Sequence, residues 1–241
     1  MIILTNDDGI DAPGLQALQQ ALGDVPSLIV APLHPMSECS HCVTTKKPLR
    51  VEARGTPDSP MFAVDGTPAD CVRVALLHLL PQLFPLIAAT RHQLRVFSGI
   101  NQGGNLGADV YISGTVAAVR EAAFFGVPGI AFSQYRRGAL PPEHWPHAAA
   151  MAGRVIHKLH NLSLSPGEFW NVNFPWPLRS NGPEPQIILC DRSRRPLPVK
   201  YENIEGELQY VAGLYHTRDF EPGSDIDICF SGDIAVTRMA V

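Results

Sequence analysis

The opening 32 residues limit the fold more tightly than any other stretch of this sequence. Ile2-Ile3-Leu4 is a short apolar strand, Asn6-Asp7-Asp8-Gly9 is turn chemistry, and Pro13 suits the first turn of a helix whose Leu15, Leu18 and Leu22 repeat at i, i+3 and i+7. Leu28-Ile29-Val30-Ala31 is a second short apolar run, stopped by Pro32. A strand, an amphipathic helix and another continuous apolar strand imply parallel pairing in an α/β sheet.

The same alternation continues to Pro175. Short strands are predicted at 49–52, 62–64, 94–98, 130–132 and 170–174. Helices are predicted over roughly 68–80, from Ser113-Gly114-Thr115 to Gly126, and over about 147–161. Pro81 is expected to end the second helix. Segment 33–48 reads as a polar loop or hairpin, 101–113 as glycine-rich coil, and 134–146 as a loop carrying Arg136 and Arg137. After Pro175 the texture changes. Pro177, Pro183, Pro185, Pro196 and Pro198 punctuate β-like stretches at 186–190, 207–215 and 234–239, and no second βαβ series is visible. The expected organisation is one domain over 1–241, with an α/β core over 1–175 and a β-rich C-terminal extension over 176–241.

Composition narrows the function classes. A chain of 241 residues that is 45% hydrophobic can bury its core without disulfide or metal staples. A net charge of −4 lacks the broad basic footprint of a protein that binds nucleic-acid polymers, and favours a small-molecule substrate. The longest stretch free of Asp, Glu, Lys and Arg, 74–90, contains Pro81 and Pro85 and is shorter than the ~20 residues of a membrane helix. The start lacks a basic n-region and a small-residue cleavage site, so no secretory signal is expected. Five cysteines, at 39, 42, 71, 190 and 229, do not suggest a disulfide framework. The expectation is a reduced, cytoplasmic protein that does not cross a membrane.

In open α/β sheets, ligands bind beyond the carboxyl ends of the strands. Those positions hold Asn6, Asp7, Asp8 and Gly9 after the first strand, Ser37 and His41 after the second, and Asn101 and Asn105 after the strand at 94–98. A helix begins at Ser113-Gly114-Thr115. Carboxylates, a hydroxyl and an amide oxygen suit a hard cation such as Mg²⁺ or Mn²⁺, and a helix N-terminus suits a phosphate. Together they are equipment for hydrolysing a phosphate ester. Each piece has a plainer reading. Asp7-Asp8-Gly9 could be only a polar turn, Ser113 a simple N-cap, and Asn101 and Asn105 turn residues. For the adjacent acids the metal reading stands level with the plainer one, because two carboxylates at a partly buried strand end repel each other and a cation relieves that repulsion. Cys39 and Cys42 have C-x₂-C spacing without a second pair and read as incidental thiols. No H-E-x-x-H, G-x-S-x-G or G-x-x-x-x-G-K-[ST] is present, which disfavours zinc proteases, common serine hydrolases and P-loop nucleotidases. Gly99, Gly103, Gly104 and Gly107 do not make G-x-G-x-x-G, which disfavours a dinucleotide oxidoreductase.

An ordered set of motifs resembles the SurE (survival protein E) family of nucleoside monophosphate phosphatases. It comprises Leu4-Thr5-Asn6-Asp7-Asp8-Gly9-Ile10 with Gly14-Leu15, Ser37, Ser40-His41-Cys42-Val43-Thr44, and Val64-Asp65-Gly66-Thr67-Pro68-Ala69-Asp70. It continues with Ser98-Gly99-Ile100-Asn101-Gln102-Gly103-Gly104-Asn105, Tyr111-Ile112-Ser113-Gly114-Thr115, Glu121-Ala122, Asn171-Val172-Asn173-Phe174-Pro175 and Ser224-Asp225. The resemblance implies a Rossmann-like three-layer α/β/α core with a mostly parallel sheet. It implies one divalent metal, Mg²⁺ or Mn²⁺, per subunit, held by Asp7, Asp8, Ser37 and Asn101. Asp7 and Asp8 would also be catalytic, and Asn105, Ser113, Gly114 and Thr115 would surround the substrate phosphate. It further implies a homodimer or homotetramer with an exchanged C-terminal extension. The implied activity is 5′-nucleotidase, with 3′-nucleotidase and weak exopolyphosphatase activity beside it.

Several positions depart from the family pattern. Leu33-His34-Pro35-Met36 replaces a charged stretch, Glu38 stands where glycine is usual, Cys42 where serine is usual, and Thr237-Arg238-Met239 replaces Thr-Pro-Leu. Lost positive charge in the first loop predicts reduced polyphosphate turnover. Three rivals remain at this point. A haloacid-dehalogenase-type phosphatase needs Asp-x-Asp, whereas these acids are adjacent. A phospho-receiver module needs an acceptor Asp after a middle strand, where Asn101 stands. A catalytically weak or inactive metal- and nucleotide-binding module keeps the site without turnover.

Overall fold

Parallel pairing of β1 (Ile2–Thr5) with β2 (Ser27–Pro32) through α1 (Pro13–Leu22) sets the frame of the molecule, as the opening residues require. The computed structural model describes residues 1–37, 39–90, 93–178, 183–211 and 214–241, so Glu38 lies outside the described residues and the 207–215 stretch is described only in part. The other elements in chain order are β3 (Val51–Ala53), β4 (Met61–Val64), α2 (Pro68–Val74), α3 (Leu80–Leu83), α4 (Pro85–Ala88), β5 (Arg95–Asn101) and α5 (Gly114–Phe124). They are followed by β6 (Gly129–Gln134), α6 (His144–His160), β7 (Glu168–Phe174), β8 (Ile187–Leu189), β9 (Tyr201–Ile204), β10 (Glu207–Tyr210), α7 (Asp225–Phe230) and β11 (Ile234–Ala240).

Nine strands form one sheet in the order β3-β4-β2-β1-β5-β6-β7-β11-β8. β4, β2, β1, β5, β6 and β7 run parallel, while β3 pairs antiparallel with β4 and β11 antiparallel with β7. Helices cover both faces, giving three layers. Successive strand residues divide between the faces as the pleat demands. Leu4, Ile29 and Ala31 join Leu15, Leu18, Ala152 and Val155 of α1 and α6, whereas Ile3, Leu28 and Val30 join Val72, Ala118 and Ala122 of α2 and α5.

Pro81 does not end the second helix. Residues Ala75–Leu79 form a π-helical turn in which the Leu80 N–H reaches back five residues to the Ala75 carbonyl, and the helix resumes as α3 with Pro81 in its first turn. The wider turn removes the bond pattern that a proline ring would break. Helix α6 starts three residues before the expected 147, because Pro146 sits in its first turn, where a missing N–H breaks no bond. After Pro175 the chain returns to the main sheet. β8 and β11 are built into it, so what stands apart from the core is the separate hairpin β9–β10.

The chain leaves β1 toward β2 on one side and β5 on the other, so the order reverses at β1. A crevice opens at such a switch point beyond the carboxyl ends of the two strands. Asn6–Gly9 and Asn101–Gly104 meet there.

Candidate active site

Strand β1 ends in a tight turn. The Asn6 side chain donates to the Gly9 carbonyl at 2.7 Å, and the Ile10 N–H returns to Pro32 O at 2.8 Å. Gly9 has φ of +101°, a conformation that glycine adopts without strain. The turn leaves Asp7 almost fully buried and Asp8 partly so. Helix α5 points its N-terminus at Asp7. The Thr115 hydroxyl donates to Asp7 Oδ1 at 2.6 Å and the Thr115 N–H to Oδ2 at 3.1 Å. Ser113 caps the helix by accepting from the Val116 N–H at 3.1 Å, which leaves the Gly114 N–H as the helix-end donor used by neither Asp7 nor the cap. Gly114 is glycine for lack of room, since a Cβ there would lie 2.9 Å from Asp7 Oδ2.

Asp8 is held on one oxygen only, by the Gln102 N–H at 3.0 Å to Oδ2. Gln102 follows a bulge in β5 between Ser98 and Asn101, and Gly99 within it has φ of +127° with the Phe132 carbonyl where a Cβ would stand. Such a bulge redirects the strand end. The Asn101 side chain donates to Gly103 O at 2.8 Å, which commits its nitrogen and leaves its oxygen as a ligand. Met36 N–H donates to Asp7 O at 2.7 Å, and that bond brings exposed Ser37 to the end of β1.

Burial pushes the Asp7 carboxyl up to about 6, opposed by the Thr115 hydroxyl and reinforced by the Asp8 charge. Burial also raises Asp8, opposed by the Gln102 N–H and the Arg136 guanidinium. Two acids this reluctant to ionise side by side favour a cation between them. Among the described residues no group of three or more His, Cys, Asp or Glu converges, and the donors assembled here are all oxygens. That set fits a hard divalent ion and not a thiolate- or imidazole-bound one.

Arg136, which the sequence marked only as part of a loop, lies beside the pair. Its Nε donates to Gln102 O at 3.2 Å and its Nη1 to Gly138 O at 2.8 Å. With Gln102, Gly103, Gly104, Tyr215 and His216 it lines a cavity of about 280 Å³ next to Asp8. The strand-end rule applied to β6 would have found Arg136.

Asn105 sits elsewhere in the sheet edge. Its N–H donates to Asn173 Oδ1 at 2.8 Å, its carbonyl accepts from Asn171 Nδ2 and Asn173 Nδ2 at 3.0 Å each, and its Nδ2 donates to Ser133 Oγ at 2.8 Å. The structure thus bonds Asp7 to the start of α5, ties Asp8 to Gln102, the residue after Asn101, adds Ser37 through Met36, and places Asn105 in a buried amide network.

Known proteins share this arrangement of sequence and fold. A family model described as "Survival protein SurE" matches residues 2–196. A relative from Nostoc sp. is 44% identical over 240 residues, covering 100% of this chain and 99% of its own. A protein of Variovorax paradoxus named 5′-nucleotidase SurE is 37% identical over 251 residues, covering 100% of this chain and 91% of its own. The crystal structure of a SurE protein from Aquifex aeolicus superposes with a TM-score of 0.81 at 30% identity, covering 99% of this chain and 92% of that one.

Proposed function

Since the chain belongs to the SurE family, we propose that it is a divalent-metal-dependent 5′-nucleotidase that splits nucleoside monophosphates into nucleoside and phosphate. The observation that carries this reading is the Asp7–Asp8 pair at the end of β1, with Asp7 locked to the N-terminus of α5 and Asp8 tied to the Gln102 N–H at the end of β5. Asp7, Asp8, Ser37 and Asn101 would hold one Mg²⁺ or Mn²⁺ per subunit. When bound there, the cation supplies neutralisation of the phosphoryl charge and acidification of water.

The chain's own residues divide the remaining work. Both Asp7 oxygens carry a bond from Thr115, so Asp7 is a fixed ligand. Asp8 keeps Oδ1 beyond its bond to Gln102 and is the group that takes the proton from the attacking water. The Gly114 N–H and the positive end of α5 receive the phosphate oxygens, with Ser113 and Thr115 fixing that helix end. Asn105 adds its second amide hydrogen from behind, with the bond to Ser133 holding the first. The cavity beside Asp8 takes the nucleoside, and Arg136 presents a donor to its ribose or base.

The finer specificity follows from charge. Leu33-His34-Pro35-Met36 brings no Lys or Arg to its side of the site, so 5′- and 3′-mononucleotides are better substrates than tripolyphosphate. Five free thiols support a reducing, cytoplasmic setting, and among the described residues no helix is long and apolar enough to cross a membrane. The hairpin β9–β10 exposes Tyr201, Ile204, Leu208 and Tyr210, which supports its role as an arm exchanged in a homodimer or homotetramer.

The test is phosphate release from a panel of 5′- and 3′-nucleotides with EDTA, Mg²⁺ or Mn²⁺. Metal-dependent release from mononucleotides is expected, with tripolyphosphate slower. No release from any nucleotide by folded, metal-loaded protein would overturn the catalytic reading in favour of a binding module.

A further inference from the structure

Glu121 lies almost two helical turns beyond Thr115 on α5, and its side chain is only 2% exposed. A carboxylate this deep needs partners for both oxygens. Oε1 accepts from Arg73 Nε of α2 at 2.6 Å, which accounts for the packing of α2 on α5. Oε2 does something else. It meets His41 Nε2 at 2.8 Å, and His41 belongs to the loop that follows β2. Phe124, one turn further along α5, stacks on the His41 ring at 5.6 Å between centroids, and Arg120 Nη1 approaches His41 Nδ1 at 3.5 Å. One face of α5 thus grips a single imidazole from below, beside and behind.

The grip matters because of where His41 sits. The loop is tied at its start by Met36 N–H to Asp7 O. Beyond His41 it is tied to the capping box of α2, by Thr67 Oγ1 to Cys42 O at 2.6 Å and by Thr44 N and Oγ1 to the two Asp70 oxygens at 2.8 and 2.7 Å. Ser37 and His41 lie between these ties in the chain. Ser40 Oγ also donates to Tyr111 O, at 3.2 Å on an exposed surface.

We infer that Glu121 is a positioning residue that, through His41, sets the loop carrying Ser37 against the same helix whose N-terminus holds Asp7. This rests on the proposed role of Ser37 as a metal ligand. Helix α5 then registers two ligands at once, one from each end of its inner face.

The experiment compares wild type with His41→Ala, His41→Gln and Lys46→Ala, the last on the exposed continuation of the loop. Mn²⁺ affinity is titrated without nucleotide, and amide hydrogen exchange is read over residues 36–44. His41→Ala is expected to weaken Mn²⁺ roughly tenfold or more, as loss of an outer-shell partner does, and to speed exchange across the loop. His41→Gln, which returns an N–H donor to the Nε2 position, should recover most of both, and Lys46→Ala should change neither. Unchanged Mn²⁺ affinity and exchange in His41→Ala would overturn the inference, as would a His41→Gln variant no better than the alanine. If wild type itself binds no Mn²⁺, the metal site is refuted, and the exchange data alone then uphold or refute the clamp.

Discussion

The carboxyl edge of the sheet carries two buried polar clusters that differ in kind. At β1 and β5 the groups are carboxylates, Asp7 and Asp8, held by N–H and hydroxyl donors from α5 and the Gln102 backbone. Around β6 and β7 they are neutral amides: Asn171 and Asn173 bond the backbone of Asn105, and Gln134 donates to the carbonyls of Tyr135, Phe174 and Pro175. Amides carry donors and acceptors in equal supply and can close a network among themselves. Carboxylates carry only acceptors and repel each other, so that cluster stays incomplete without a cation. The neutral cluster therefore holds the fold together, whereas the charged one is left short of a partner.

The largest effect expected from this contrast is at Asp8. Asp8→Asn keeps the shape and should lower the rate of phosphate release more than ~100-fold, beyond what an outer-shell change costs. It should not lower the melting temperature in EDTA, because a repelling charge is gone. A metal-free melting temperature that falls in this variant would break the contrast. In the other cluster Asn173→Ala strips the partner from the Asn105 N–H and one of the two donors from its carbonyl, which keeps Asn171. At about 1–3 kcal/mol for each buried group left unpaired, calorimetry should show a melting point lower by several degrees, with Mn²⁺ affinity nearly kept. A Mn²⁺ affinity that collapses in this variant would mean that the two clusters act as one.

Smaller effects sharpen the boundary. Gly114→Ala puts a methyl 2.9 Å from Asp7 Oδ2 and must push that carboxylate aside. A displacement of that size costs on the order of tenfold in kcat, with little change in thermal stability, and steady-state kinetics beside a melting curve will separate the two. The neutral cluster also predicts a pH effect. His144 donates from Nε2 to Gln134 Oε1 at 2.8 Å, because the Gln134 nitrogen is already committed to three carbonyls. Burial, helped by His147, lowers His144 from 6.5 to about 4. The unfolded chain takes the proton first as pH falls, so stability complete above pH 6.5 is lost progressively toward pH 4. In His144→Gln that part of the melting-temperature profile should flatten, and an unchanged slope would remove His144 as its source.

Much of this was legible in the residues, for definite reasons. β1, β2 and β6 are buried on both faces and read as short apolar runs, β7 reads as apolar residues alternating with Asn171 and Asn173, and α5 announces its start with Ser113 and its end with Gly126. The acidic pair, Asn101 and the α5 N-terminus follow from the rule of strand ends. Bonds between distant segments did not. Nothing local says that Thr115 would spend its hydroxyl on Asp7, that Glu121 would reach His41, or that Asn105 would be drawn into the amides of β7. The π-turn before Pro81 escaped because proline in a helix ordinarily stops it. Helix α7 escaped because six residues are too few to show a period, although Ser224 and Asp227 supply the capping pattern. The hairpin turn, Glu205-Gly206, puts φ of +55° on a glutamate, where Asn or Asp is the usual signal.

β11 lies inside the sheet, between β7 and β8, yet it follows both in the chain. A ribosome delivers residues in order. β7 and β8 must therefore wait with open edges until residues 234–240 emerge, and among the described residues no earlier segment closes the gap. A product stopped before residue 234 would carry two unpaired edges, each a template for another chain. Pairing of β11 thus ties the sealing of the sheet to the arrival of residues 234–240, and it marks copies truncated before them for aggregation or removal.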